Sequence, residues 1–145
     1  MQIHIDDDGF VRAPAPDVYR FLTDVARWPA WWPGVRVTPV DAPDETYDLA
    51  LRAGRRTLRV RAVCGEWRLD TGFRMTLTGD VAGVAEFWLE RGWGGTVVHH
   101  VVVGESSARR PRAVLAGYRR ALRRGLWAAK DHLQSAQRED AGWPA

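Results

Sequence analysis

Thr57-Leu58-Arg59-Val60-Arg61-Ala62-Val63-Cys64 is the stretch that decides how this chain folds. Successive side chains of a β-strand point to opposite faces. Leu58, Val60, Ala62 and Cys64 therefore share one face, and Arg59 and Arg61 the other. The same period of two recurs downstream. Phe73, Met75 and Leu77 alternate with Arg74, Thr76 and Thr78, and Ala85, Phe87 and Leu89 alternate with Glu86, Trp88 and Glu90. One apolar face and one wet face describe an antiparallel sheet covered on one side only. Extended segments are expected near 35–41, 46–53, 56–67, 71–79, 83–91 and 95–105. They are broken at Ala42-Pro43-Asp44, Ala53-Gly54, 68–71, 79–83 and Gly92-Trp93-Gly94-Gly95. The breaks are too short to hold crossover helices, so the strands form a meander.

Upstream, Ile3 and Ile5 alternate with polar residues, and Phe10-Val11 ends a first strand over 2–12. Pro16 and Asp17 suit the first turn of a helix. Val18, Phe21, Leu22 and Val25 then follow at the spacing of one helical face. Trp28-Pro29 is expected to end that helix, because a residue before proline avoids the α region. A short second helix carries Trp31 and Trp32, and Pro33-Gly34 closes it.

Downstream, 109–138 reads as one long helix. Val114, Leu115, Tyr118, Leu122, Gly125, Leu126, Ala129 and Leu133 form its apolar stripe, and Arg112, Arg119, Arg123 and Lys130 lie opposite. Trp127 falls nearer the basic side and is expected to stack under Arg120, Arg123 or Arg124. The pattern is thus α+β: a seven-stranded antiparallel sheet wrapped around a long C-terminal helix, with two short helices after strand 1. Residues 1–138 form a single domain, and 139–145 are expected to fray, apart from a tether at Trp143.

At 145 residues the chain has the size of one domain. No apolar run reaches the ~20 residues of a membrane span. The first residues carry neither a basic start nor an apolar segment, so a cytoplasmic protein is expected. Cys64 is the only cysteine, which excludes an internal disulfide; its place in an apolar run makes it a small buried hydrophobe. The net charge of +3 comes almost wholly from arginine, much of it between Arg109 and Arg124. It reads as a solvated helix face rather than a nucleic-acid footprint.

Ala13-Pro14-Ala15-Pro16-Asp17-Val18-Tyr19-Arg20-Phe21-Leu22-Thr23-Asp24 with Arg27-Trp28-Pro29-Ala30-Trp31-Trp32-Pro33, then Gly79-Asp80-Val81-Ala82-Gly83-Val84-Ala85-Glu86-Phe87-Trp88-Leu89, then Gly95-Thr96-Val97-Val98, together resemble the START-like, or Bet v 1-like (SRPBCC), superfamily. More narrowly, the chain resembles the polyketide cyclase/dehydrase and lipid-transport family. The resemblance implies a helix-grip fold with a deep apolar cavity between sheet and last helix. It says little about activity, because one scaffold hosts carriers, cyclases and interaction modules.

The expected lining of the cavity that the resemblance implies combines strand parity, the tryptophan-rich entrance and the apolar stripe of the last helix. Trp28, Trp31, Leu58, Val60, Phe73, Phe87 and Leu122 are expected to line the cavity. If the hairpin at Gly92-Trp93-Gly94 is centred on residue 93, Phe87 faces His99 and Glu86 faces His100. His99 then points inward, and a slip of one residue exchanges the two histidines. His99 and Tyr118 are the candidate catalytic pair, as a general base and a donor to a bound oxygen. No arginine is placed inward, which counts against cyclase chemistry. Adjacent His99 and His100 point apart on a strand and cannot chelate one ion together, so no metal is expected; no dinucleotide or phosphate loop is present, so no cofactor is expected either. The leading expectation is binding of an aromatic polyketide-like or lipidic small molecule, by a monomer or homodimer. The rivals are a polyketide aromatase/cyclase or dehydratase, and an interaction module associated with ribosomes or quinones.

Overall fold

The computed structural model describes residues 1–140. Strand β1 (Gln2–Val11) leads into helix α1 (Ala15–Thr23), a 3-10 turn (Val25–Arg27) and the four-residue helix α2 (Trp28–Trp31). Six strands follow: β2 (Val35–Asp41), β3 (Thr46–Ala53), β4 (Arg56–Arg68), β5 (Gly72–Gly79), β6 (Val81–Gly92) and β7 (Gly95–Ser106). Helix α3 (Pro111–Asp140) ends the described chain. It carries two residues past the boundary expected for it. The rest of the expected frayed tail, with Trp143, lies outside the described residues.

All strands lie in one antiparallel sheet ordered β1-β7-β6-β5-β4-β3-β2. The alternation read from the sequence is the alternation of burial. Leu58, Val60, Ala62, Cys64, Phe73, Met75, Leu77, Ala85, Phe87 and Leu89 are all buried. Arg61 lies on the opposite face and grips Asp48 of β3 through two hydrogen bonds of 2.8 and 3.1 Å. Burial pushes the Cys64 thiol up to about 12, so it behaves as the inert apolar group expected.

The helical entry segment departs from expectation at one point. Trp28 sits in the α region (φ −51°, ψ −39°) and begins α2 instead of ending α1. Proline is tolerated here because the first-turn amides of a helix have no intrahelical partner to lose. The first helix stops earlier, at Thr23, and α2 ends at Trp31. Trp32 is left extended at the C-cap (φ −98°, ψ 106°), so Trp31 and Trp32 do not share a helix.

α3 packs its inner face against β1, β3 and β4. Two small residues, Gly117 and Ala121, are buried beside the predicted stripe. At Gly125 a Cβ would fall 2.3 Å from the Trp32 ring. Only glycine lets that indole lie against the helix.

Candidate ligand-binding cavity

Between the sheet and α3 lies a cavity walled almost wholly by apolar side chains. Trp28 and Trp32 close it on the side of the short helices. Leu49 and Leu51 come from β3, Leu58 and Val60 from β4, and Met75 and Leu77 from β5. Val81, Ala85 and Phe87 come from β6, His100 from β7 and Tyr118 from α3. The free space is about 20 Å³, room for about one water molecule. Larger hollows are open to solvent; one of about 550 Å³ crosses Arg36, Asp48, Arg59 and Arg61 on the outer face of the sheet.

The three tryptophans divide the work. Trp28 donates its indole N–H to the Leu22 carbonyl at 2.9 Å. Trp32 reaches across and donates to the Ala121 carbonyl of α3 at 2.8 Å. Both indoles are therefore anchored to backbone, as a buried Trp requires. Among the described residues, Trp31 has no hydrogen-bond partner for its N–H. It stacks between Phe21 (4.6 Å between centroids) and Trp32 (5.7 Å). Its other side borders an external groove shared with His132 and Leu133, so Trp31 stands behind the cavity wall. The sequence had offered Trp31 as a lining residue and missed Trp32; the end of α2 after Trp31 turns Trp32 inward.

The histidine placement is the main correction. Gly92 pairs with Gly95 around a two-residue turn, Trp93-Gly94, with φ of 52° and 74°. Positive φ at both central residues marks the hairpin turn whose twist matches its strands. The pairing is therefore centred between 93 and 94, one step from the register expected. Phe87 faces His100, and Trp88 faces His99. His100 is fully buried, with its ring 4.1 Å from that of Phe87. His99 lies on the outer face, stacked on Trp88 at 3.8 Å and 3.3 Å from a Glu90 carboxylate oxygen. Glu86, expected beside His100, instead meets Arg68 and Arg74 on the wet face; these cations hold its carboxyl below the usual range.

His100 Nε2 lies 2.5 Å from the Tyr118 hydroxyl. Burial pushes the imidazole down to about 4, opposed weakly by the Glu86 backbone carbonyl and by Asp7. Its Nδ1 has no well-formed hydrogen bond. Tyr118 stays partly accessible as a residue, but its hydroxyl meets the buried ring, and burial raises it above the ordinary phenol range. The pair is neutral on both sides at pH 7. Of the residues expected at the site, Leu58, Val60, Phe87, Trp28 and Tyr118 border this cavity, whereas Phe73 and Leu122 are buried in the core outside it. No lining residue carries a charge at neutral pH. On the outside of α3, Trp127 is exposed and receives Lys130 over its ring at 5.0 Å. Lys130, three residues on along the helix, takes the place expected for an arginine.

A seven-stranded antiparallel sheet gripping one long helix, with two short helices after strand 1, defines the helix-grip class. Residues 11–98 match the family described as polyketide cyclase / dehydrase and lipid transport, and the chain belongs to that family. Solved structures share the fold. A START superfamily protein from Mycobacterium smegmatis superposes with a TM-score of 0.74 at 12% identity, over 92% of this chain and 98% of that one. The Zhui aromatase/cyclase from Streptomyces sp. R1128 gives 0.68 at 18% identity, over 99% and 100%. Ara h 8.0201 gives 0.71 at 14%, over 93% and 99%. None of the curated protein sequences matches this chain. No helix among the described residues is long and apolar enough to cross a membrane.

Proposed function

We propose that this protein binds a hydrophobic small molecule, aromatic or lipidic, between the sheet and α3. The observation that carries the reading is an apolar, aromatic-walled interior holding one buried, uncharged polar pair, His100 and Tyr118. A few placed polar groups on an apolar lining are what small-molecule sites use to orient a ligand. Drug-sized ligands need about 300 Å³ or more, so binding requires the interior to widen. The wall suited to yield is the end closed by Trp32, carried on the extended C-cap of a four-residue helix. Native mass spectrometry of the purified protein, with a melting-temperature screen against aromatic polyketides and fatty acids, tests the reading. A co-purifying or stabilising apolar ligand supports it; no adduct and no shift across the panel overturns it.

The family description and the Zhui neighbour favour a second reading, an aromatase/cyclase or dehydratase. Proton transfer near neutral pH calls for groups poised near that pH. His100 and Tyr118 are both displaced away from it, and His99 is outside the cavity, so binding is the better-supported role. Turnover of a polyketide substrate that disappears in His100→Gln while the fold is kept would reverse that ranking.

A further inference from the structure

His100 lines the cavity, and among the described residues its buried Nδ1 makes no well-formed hydrogen bond, the Glu86 backbone carbonyl engaging the ring only weakly. A buried polar atom left unpaired is costly, and native interiors seldom keep one without a use for it. Its neighbour Tyr118 multiplies the possibilities. A neutral imidazole and a phenol together hold two donors, one N–H and one O–H. Their mutual hydrogen bond consumes one donor and one acceptor. If the proton sits on Nδ1, the spare donor is that N–H; if it sits on Nε2, the spare donor is the tyrosine O–H and Nδ1 is a spare acceptor. In either tautomer the pair offers one donor and at least one acceptor to whatever enters.

Charge decides the rest. The lining includes no lysine or arginine. Arg61, on a strand that forms the wall, is turned outward and engaged with Asp48. A carboxylate brought inside would lose its hydration and meet no cation, a cost of several kcal/mol in a dry interior. A phenol or ketone loses far less and recovers it from the spare donor.

We infer that the cavity selects apolar ligands bearing a neutral hydrogen-bonding oxygen, a phenol or a ketone, and rejects carboxylates, with His100 and Tyr118 as the residues that set this specificity. The inference rests on the hydrophobic-ligand reading above and adds the class of polar group that the ligand carries. It separates neutral aromatic ligands from fatty-acid anions, which an apolar cavity alone would not.

Three bicyclic probes of nearly one shape test it: naphthalene, 2-naphthol and 2-naphthoate, titrated calorimetrically at pH 7.5 into the wild-type protein and into Tyr118→Phe and His100→Gln. 2-Naphthol is expected to bind roughly tenfold tighter than naphthalene, the worth of one net hydrogen bond. 2-Naphthoate is expected to bind roughly a hundredfold weaker than 2-naphthol, or not at all. Tyr118→Phe should shrink the preference for naphthol over naphthalene to within about threefold. A second measurement needs no variant: the His100 ring ¹⁵N shifts of the wild-type protein should move on adding 2-naphthol and stay put with naphthalene. Naphthoate binding as well as naphthol, or ring shifts indifferent to naphthol, overturns the inference and leaves the hydrophobic-ligand reading standing. Failure of all three probes to bind overturns both.

Discussion

The two faces of the β6–β7 hairpin carry the same two kinds of group in opposite surroundings. On the inner face His100 meets Phe87 and Tyr118 and is wholly buried. On the outer face His99 meets Trp88 and Glu90. Adjacent histidines thus become a neutral interior group and a surface group within reach of an ion pair. The difference teaches that residue type says little about role on a strand; the register of a single turn decides which histidine belongs to the cavity.

The largest effect expected from breaking this contrast comes from aromatic truncation. Phe87→Ala should destabilise by about 3–5 kcal/mol, as core aromatic deletions do, whereas Trp88→Ala, one residue along and facing out, should cost about 1 kcal/mol. Urea denaturation of the two variants measures the gap, and equal losses would refute the assignment of faces.

Acid titration should give the next largest difference. The folded-state value of His100 lies below the ordinary one, so the unfolded chain takes up its proton first as pH falls. Stability linked to His100 is whole above pH 6.5 and lost as the pH falls toward 4. At about 1.4 kcal/mol per unit, the loss across that window is about 3 kcal/mol. His100→Leu should flatten this part of the stability–pH curve, while His99→Gln should leave it in place.

Gly125→Ala tests the opposite wall. The new methyl must push the Trp32 ring aside, and an overpacked core of this kind loses about 1–3 kcal/mol. Loss of near-ultraviolet tryptophan dichroism should accompany it. Smaller still, Tyr118→Phe should cost about 1 kcal/mol by removing the hydroxyl that His100 contacts. His99→Gln should change stability by less than about 0.5 kcal/mol. Thermal unfolding of this last pair ranks the inner contact above the outer one, and a reversed order would undo the comparison.

Much of this architecture was legible beforehand because period-two alternation is strong when one face is buried. Leu58 to Cys64 and Phe73 to Leu77 announce their faces without help. The helix-grip resemblance implied a deep cavity between the sheet and the last helix; the space there is about 20 Å³, bordered by Trp28, Leu58, Val60, Phe87 and Tyr118 among others. His100 was missed because Gly92-Trp93-Gly94-Gly95 is compatible with more than one turn, and each choice rotates β7 by one residue. A preference for two-residue hairpin turns would have found it. Trp32 was missed because a four-residue helix has no periodicity to read.

By itself, then, the amino-acid sequence determined the strand faces, the long helix and the uncharged character of the interior, since these follow from local alternation and side-chain chemistry. Only the tertiary structure decided which histidine points inward, which tryptophans close the end, and how little space remains. Those depend on a turn's backbone angles and on Trp32 lying against Gly125, contacts between residues distant in the chain that no local pattern records.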